Sequence, residues 1–205
     1  MNDVNRITTA EQLEAIYDAP RPQALLKEVT ALTREYAAWI KASPFVVVAS
    51  GSAGRLDCSP RGDAAGFVDV LDDKTLVLPD RVGNSRIDTL RNIIADPRIA
   101  LLFLVPGRDE TIRVAGRAII SNAPDLLQRY AISGKLPKSV LIISIERVYF
   151  QCARALKRAR VWASEPDNGR TLPSIGDILQ SISDTKFDGA TYDAELQDRL
   201  NKSLY

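Results

Sequence analysis

The chain has 205 residues, enough for one domain with terminal extensions or at most two small domains. Its 27 basic and 26 acidic residues leave a net charge of +1, and 45% apolar with 26% charged residues is an ordinary globular composition. This excludes disorder and a collagen-type fibre, and it argues against a dedicated nucleic-acid binder. There is no histidine, which removes His-based acid–base catalysis, Ser–His and Cys–His nucleophile pairs and the common zinc sites.

Residues 1–43 read as a helical extension. Thr8 and Thr9 stand three residues before Glu11 and Gln12, as a capping box requires, and Leu13, Ile16 and Tyr17 share a face. Pro20 and Pro22 break that helix. A second follows, with Leu25, Leu26, Val29 and Leu32 at helical spacing, continued by Tyr36, Trp39 and Ile40 and ended at Ser43-Pro44. From Phe45 the period changes. Phe45 to Ala49 is a β-branched run and reads as a buried strand, Ser50 to Gly54 as a turn, and Arg55 to Ser59 as the hairpin partner. Gly66 to Leu71 and Thr75 to Leu78 make a second hairpin across Asp72-Asp73. Asn84 to Ala95 reads as a helix with Ile87, Leu90 and Ile94 inward, stopped by Asp96-Pro97. Arg98 to Val105 and Glu110 to Ser121 are strands around Pro106-Gly107, Ala123 to Ile132 is a helix, and Val140 to Phe150 is the last strand.

About seven short strands joined mostly by tight turns give a mainly β fold, an antiparallel barrel or sandwich, over residues 44–165. In the tail, 166–205, Pro166 and Pro173 precede Ile175, Ile178, Leu179 and Ile182 at helical spacing, and a last helix carries Tyr192, Leu196 and Leu200. These apolar helical ends must bury themselves on the barrel or on a second subunit. Cys58 and Cys152 are too few for a disulfide framework and read as buried, reduced thiols. The N-terminus has no apolar secretory core, and the longest apolar run, Ile99 to Val105, is far short of a membrane span, so the expected location is cytoplasmic, with no membrane partner.

Three segments have the residue types for anion chemistry. In Cys58-Ser59-Pro60-Arg61-Gly62-Asp63 a rigid bend presents Arg61, whose planar fork suits phosphate or carboxylate; a structural turn with a surface Arg–Asp pair is the alternative. In Pro79-Asp80-Arg81-Val82-Gly83-Asn84-Ser85-Arg86 a strand runs into a helix start, where free N–H groups favour an anion and where Arg81 and Arg86 are out of place without one. A solvated loop is the alternative. The stretch Arg147 to Arg160, ending at Trp162, is either a solvated basic face or one wall of an anion pocket, and it is too poor in aromatics for nucleic acid. No dinucleotide, Walker, zinc-protease or serine-hydrolase motif is present.

The segments Arg55 to Asp63, Leu78 to Arg86, Asp96 to Gly107 and Glu110 to Ala118 resemble, in order and spacing, the flavin-binding branch of the pyridoxamine 5′-phosphate oxidase-related proteins over roughly residues 30–165. The resemblance implies a homodimeric FMN-binding split barrel with the cofactor at the subunit interface and no metal. It places Arg61 and Arg86 on the FMN phosphate with Asn84 and Ser85 beside them, and Ser59, Asp80 and Arg81 along the flavin. Thr111 and Trp162 approach from the facing subunit and the C-terminal side. The flavin would carry the electron chemistry, so no acid–base histidine is needed. It implies an oxidoreductase acting on an unidentified small molecule, with a non-enzymatic flavin sensor or carrier as the alternative. Deazaflavin or haem would be a cofactor swap, and haem has no histidine ligand. The C-terminal Arg-x-His by which the vitamin-phosphate oxidase grips its substrate has no counterpart, so that substrate is not implied.

Overall fold

The computed structural model describes residues 5–163, 172–184 and 186–202. Seven strands form one sheet in the order β2-β1-β5-β6-β7-β4-β3, and every pair is antiparallel. The strands are β1 (Phe45–Ser52), β2 (Arg55–Gly62), β3 (Asp69–Val70), β4 (Thr75–Asp80), β5 (Arg98–Leu104), β6 (Thr111–Ser121) and β7 (Ser139–Gln151). The edge strands β2 and β3 are not paired with each other, so the sheet is open. Alternation sets its inner face. On β1 Val46 and Val48 are buried and on β5 Ile99, Leu101 and Phe103, and these converge with Leu76, Leu78, Ile112, Val114, Ile143 and Val148 on one core.

The ladder has one irregularity, between Ala115 and Gly116, which face Arg147 and Ile145 and leave Glu146 as the extra residue. Gly116 is required there: a Cβ would lie 2.0 Å from the Ser144 carbonyl oxygen.

The helices are α1 (Ala10–Glu14), α2 (Pro22–Leu26), α3 (Arg34–Ala42), α4 (Asp88–Ala95), α5 (Pro124–Arg129), α6 (Arg154–Ala159), α7 (Ile175–Ile182) and α8 (Gly189–Lys202). At α1 the capping pattern forms: Thr9 Oγ1 accepts from the Gln12 amide, and the Thr8 amide donates to Gln12 Oε1. The expected long helix through Leu25 and Ile40 is interrupted. Val29 pairs with Val148 in both directions, the Leu32 amide donates to the Asp73 carbonyl, and Thr33 caps a fresh helix, α3. Sheet pairing of β-branched Val29 wins over local helical spacing.

Helix α4 starts at Asp88, four residues later than the loop sequence predicts, and this turns its face. Thr89, Asn92 and Ile93 are buried, whereas Ile87 and Ile94 are exposed. Asn92 fixes the docking: its Nδ2 donates to Ser50 Oγ and its Oδ1 accepts from Ser52 Oγ, so β1 runs to Ser52 where a turn from Ser50 is expected. The thiols also differ from expectation. Cys58 projects outward from edge strand β2 and Cys152 follows the end of β7, and both are exposed and free.

In the tail, α7 and α8 pack as a close pair. Gly176 and Gly189 meet where a Cβ on Gly176 would lie 2.2 Å from the Gly189 carbonyl, and the Asp193 carboxylate accepts from Ser174 Oγ and the Gly176 amide. Ile175, Ile178 and Ile182 remain exposed along α7, so the described residues leave that stripe uncovered. Pro166 lies outside the described residues. No described helix is long and apolar enough to cross a membrane.

Candidate functional site

Strand β2, the end of β4, the loop into α4 and the loop before β7 enclose a cleft of about 480 Å³. Ser59, Arg61, Asp80, Arg81, Asn84, Ser85 and Arg86, seven positions singled out in the sequence, all line it. Two hairpins far apart in the sheet order bring them together, because α4 crosses from β4 to pack on β1 and β2.

Within the cleft the arginines do different work. Arg61 is held by its surroundings: Nη2 donates to Thr89 Oγ1 at 3.3 Å, Nη1 donates to the Pro60 carbonyl at 2.9 Å, and Nε lies 4.0 Å from Asp80. Thr89 in turn donates to the Asp57 carboxylate, which also accepts from Ser59 Oγ. The Thr89 hydroxyl chiefly, then Ser59 and Arg61, hold Asp57 below the ordinary carboxylate range. Arg61 is thereby set at the first turn of α4. That turn has no side-chain cap, because Ile87 occupies the cap position. A guanidinium beside uncapped helix N–H groups is a fitting seat for a phosphate.

Arg81 is committed elsewhere. Its Nε donates to the buried Asp63 carboxylate at 3.0 Å and its Nη1 to the Tyr130 carbonyl at 2.7 Å, which ties the loop to α5. Arg86 is mostly exposed and pairs with Asp88 at 2.8 Å, which raises its already high pKa. Asn84 does not cap α4. Its side chain accepts from the Arg86 amide and closes a local turn. The following backbone is strained: Ser85 (φ 61°) and Ile87 (φ 52°) are both left-handed, a conformation unfavourable for a β-branched residue.

Asp80 is half-buried at the end of β4. Burial pushes its carboxyl upward, opposed by the charges of Arg61 and Lys138. Asp57, Thr89 and Lys138 also line the cleft. Thr89 becomes recognisable only once the true start of α4 is known, and nothing local marks Lys138, which comes from a loop far along the chain.

Thr111 and Trp162 are not in this cleft. Thr111 is buried on β6 opposite Leu104 and Gln151, and Trp162 donates its indole N–H to the Arg108 carbonyl. The basic stretch begins at the end of β7 and continues into the short helix α6, where Arg154, Lys157, Arg158 and Arg160 are exposed, as a solvated face requires.

A sequence model described as pyridoxamine 5′-phosphate oxidase matches residues 32–152. Among solved structures, HupZ of Group A Streptococcus is 25% identical, with 57% of this chain and 91% of that chain covered and a TM-score of 0.44. A protein of the pyridoxinephosphate oxidase family from Clostridium acetobutylicum, related to general stress protein 26, is 15% identical (57% and 85% covered, TM-score 0.45). A FAD-binding protein of Mesorhizobium loti is 17% identical (58% and 94% covered, TM-score 0.39). No curated protein matches.

Proposed function

Because the chain belongs to the pyridoxamine 5′-phosphate oxidase family, we propose that it is a flavoprotein that binds FMN in the β2–β4–α4 cleft and acts as an oxidoreductase on a small molecule. The observation that carries this reading is Arg61, fixed by Thr89 at the uncapped first turn of α4. Two sources of positive potential converge there on a site for a phosphate with close to two negative charges. Asn84 and Ser85 shape the loop beside it, Arg86 can leave its exposed pair with Asp88, and Ser59 and Asp80 line the rest of the cleft. Bound FMN supplies the electron transfer. The protein's own part is to hold the phosphate and orient the cofactor while keeping a path open for a reactant.

The same reading makes the protein a homodimer. It is supported by an open groove of about 780 Å³ on the outer side of β1, β2 and β5, and by Leu56, which is 95% exposed beside it. Trp162, exposed at the surface, is available to such a partner, whereas the buried Thr111 side chain is not.

Purified protein should be yellow and release FMN on denaturation, identified by mass. Arg61→Ala should abolish retention of the flavin. A colourless protein that leaves added FMN fluorescence unquenched would refute the flavin reading. Flavin that is bound but exchanges electrons with no nicotinamide donor or acceptor would favour a sensor or carrier.

A further inference from the structure

We propose that Lys138 is a second anion-binding cation of the cleft, taking together with Arg61 a phosphate- or carboxylate-type group of the bound ligand. Lys138 lies outside both loop motifs, in the segment just before β7, and it reaches the cleft because its amide donates to the Asp80 carbonyl at 3.3 Å. The Asp80 carboxylate lies 4.0 Å from Arg61 of β2 and also feels the charge of Lys138, which lines the same cleft from a different part of the sheet.

The other cations of the cleft are engaged. Arg81 is held by Asp63 and Tyr130, and Arg86 by Asp88. Among the described residues, Lys138 makes no ion pair and no side-chain hydrogen bond. One carboxylate facing two cations leaves an excess of positive charge, which an anionic group of the ligand would offset.

A second observation points to the same place. Ser139 Oγ is buried and has no hydrogen-bond partner. Ser139 is directly opposite Asp80 in the β4–β7 ladder, and directly opposite residues of an antiparallel pair project to the same face. Ser139 does not itself line the cleft, so its open hydroxyl marks an unsatisfied polar position beneath Asp80 and not a contact with the ligand. Lysine suits the role, since a flexible ammonium binds phosphate as a point charge without needing a fixed fork.

One source of the anion, the FMN phosphate, rests on the flavin reading; the other, an anionic reactant, does not. The test compares wild type, Lys138→Gln and Lys138→Arg for binding of FMN, riboflavin and inorganic phosphate by calorimetry, with phosphorus NMR line widths for the phosphate. If the anion is the cofactor's, Lys138→Gln weakens FMN about tenfold, leaves riboflavin unchanged, and is largely rescued by Lys138→Arg. If the anion belongs to a reactant, FMN and riboflavin are unaffected, but the flavin-loaded variant loses phosphate binding that the loaded wild type shows. Either result supports the proposal. Unchanged binding of all three ligands overturns it, and so does an equal loss of FMN and riboflavin. Should wild type bind neither flavin, the flavin reading fails, and the phosphate titration of wild type against Lys138→Gln still decides the role of Lys138.

Discussion

Arg61 and Arg81 stand twenty residues apart, one near the end of β2 and one just after β4, and replacing each by alanine should separate a structural arginine from a ligand-binding one. The Arg81 side chain is 18% exposed and its partner Asp63 only 1%. The pair closes at 3.0 Å, and a second bond from the same guanidinium reaches the Tyr130 carbonyl at 2.7 Å. Breaking a buried pair from one side costs about 3–5 kcal/mol. Asp63 keeps a bond from the Ala64 amide, so Arg81→Ala should cost about 3 kcal/mol, the lower end of that range. At about 2–4 °C per kcal/mol for a chain of this size, the melting temperature should fall by about 6–12 °C. Arg81→Lys should not restore it, since one ammonium cannot reproduce two bonds in a fixed fork. Arg61→Ala removes only a 3.3 Å bond to Thr89, a contact with its neighbouring carbonyl and a long 4.0 Å pair, so its stability cost should stay below about 1 kcal/mol while flavin affinity collapses. The assay is thermal and urea unfolding of the flavin-free proteins, with FMN quenching titrations alongside. Arg81→Ala that melts within about 2 °C of wild type yet loses FMN would refute the reasoning and make Arg81 a ligand residue.

The carboxylates give a pH prediction of definite sign. Burial raises the folded-state pKa of Asp80 above its ordinary value, so the ionised group opposes folding at neutral pH, and that penalty disappears as pH falls through the raised value. Asp80→Asn should therefore raise the urea midpoint at pH 8, the advantage shrinking toward acid pH. It should also tighten FMN about fivefold at pH 8, where the phosphate is fully charged, by removing a competing anion from Arg61. Asp57 behaves oppositely. Its pKa is lowered, so the stability it contributes is complete above the ordinary carboxylate value and is lost as pH falls through the lowered one, and Asp57→Asn should destabilise at neutral pH. An Asp57→Asn protein as stable as wild type at pH 7 would count against the Thr89–Asp57 network. At the β-bulge, Gly116→Ala drives a Cβ into the Ser144 carbonyl and should cost about 3 kcal/mol or leave the protein insoluble, as measured by soluble yield and melting. Ile87→Gly should stabilise by about 1 kcal/mol, because it removes the left-handed penalty of a β-branched residue; a lower melting temperature would show that the Ile87 side chain contributes more than its backbone strain costs.

Most of the sheet was readable because strands declare themselves locally. The β-branched runs at Phe45 and Val140, the acidic turn at Asp72-Asp73 and the Pro106-Gly107 break put strand boundaries within a few residues of β1, β7, the β3–β4 turn and the β5–β6 turn. What failed was local reading of residues whose conformation is decided at a distance. Val29 has helical spacing with Leu25 and Leu32 but is claimed by Val148, more than a hundred residues away. Asn84 looks like a helix cap, yet it closes its own turn with Arg86, and α4 starts only after Ile87 has taken a left-handed backbone. That displacement of four residues rotates the helix face, so the inward isoleucine is Ile93 rather than Ile94, and the residue that positions Arg61 is Thr89.

Motif matching in this site therefore located the loops more reliably than it assigned their side chains. Loop position follows from strand order, which the β-branched runs and turns carry. The role of each cation depends on which carboxylate the tertiary fold sets beside it. Arg81 meets a buried aspartate and becomes a clamp, Arg86 meets an exposed one, and Arg61 is braced by a neutral hydroxyl. Lys138, which no motif marks, arrives beside Asp80 only because β7 pairs with β4. The cations least satisfied by protein partners are the ones an anionic ligand engages at the smallest cost, since no buried carboxylate must be abandoned. By that criterion Arg61 ranks above Arg86, and Arg86 above Arg81, and FMN affinities of these three alanine variants should follow the same order of loss once each is corrected for its fraction folded; Lys138 joins Arg61 where the anion is the cofactor's own phosphate.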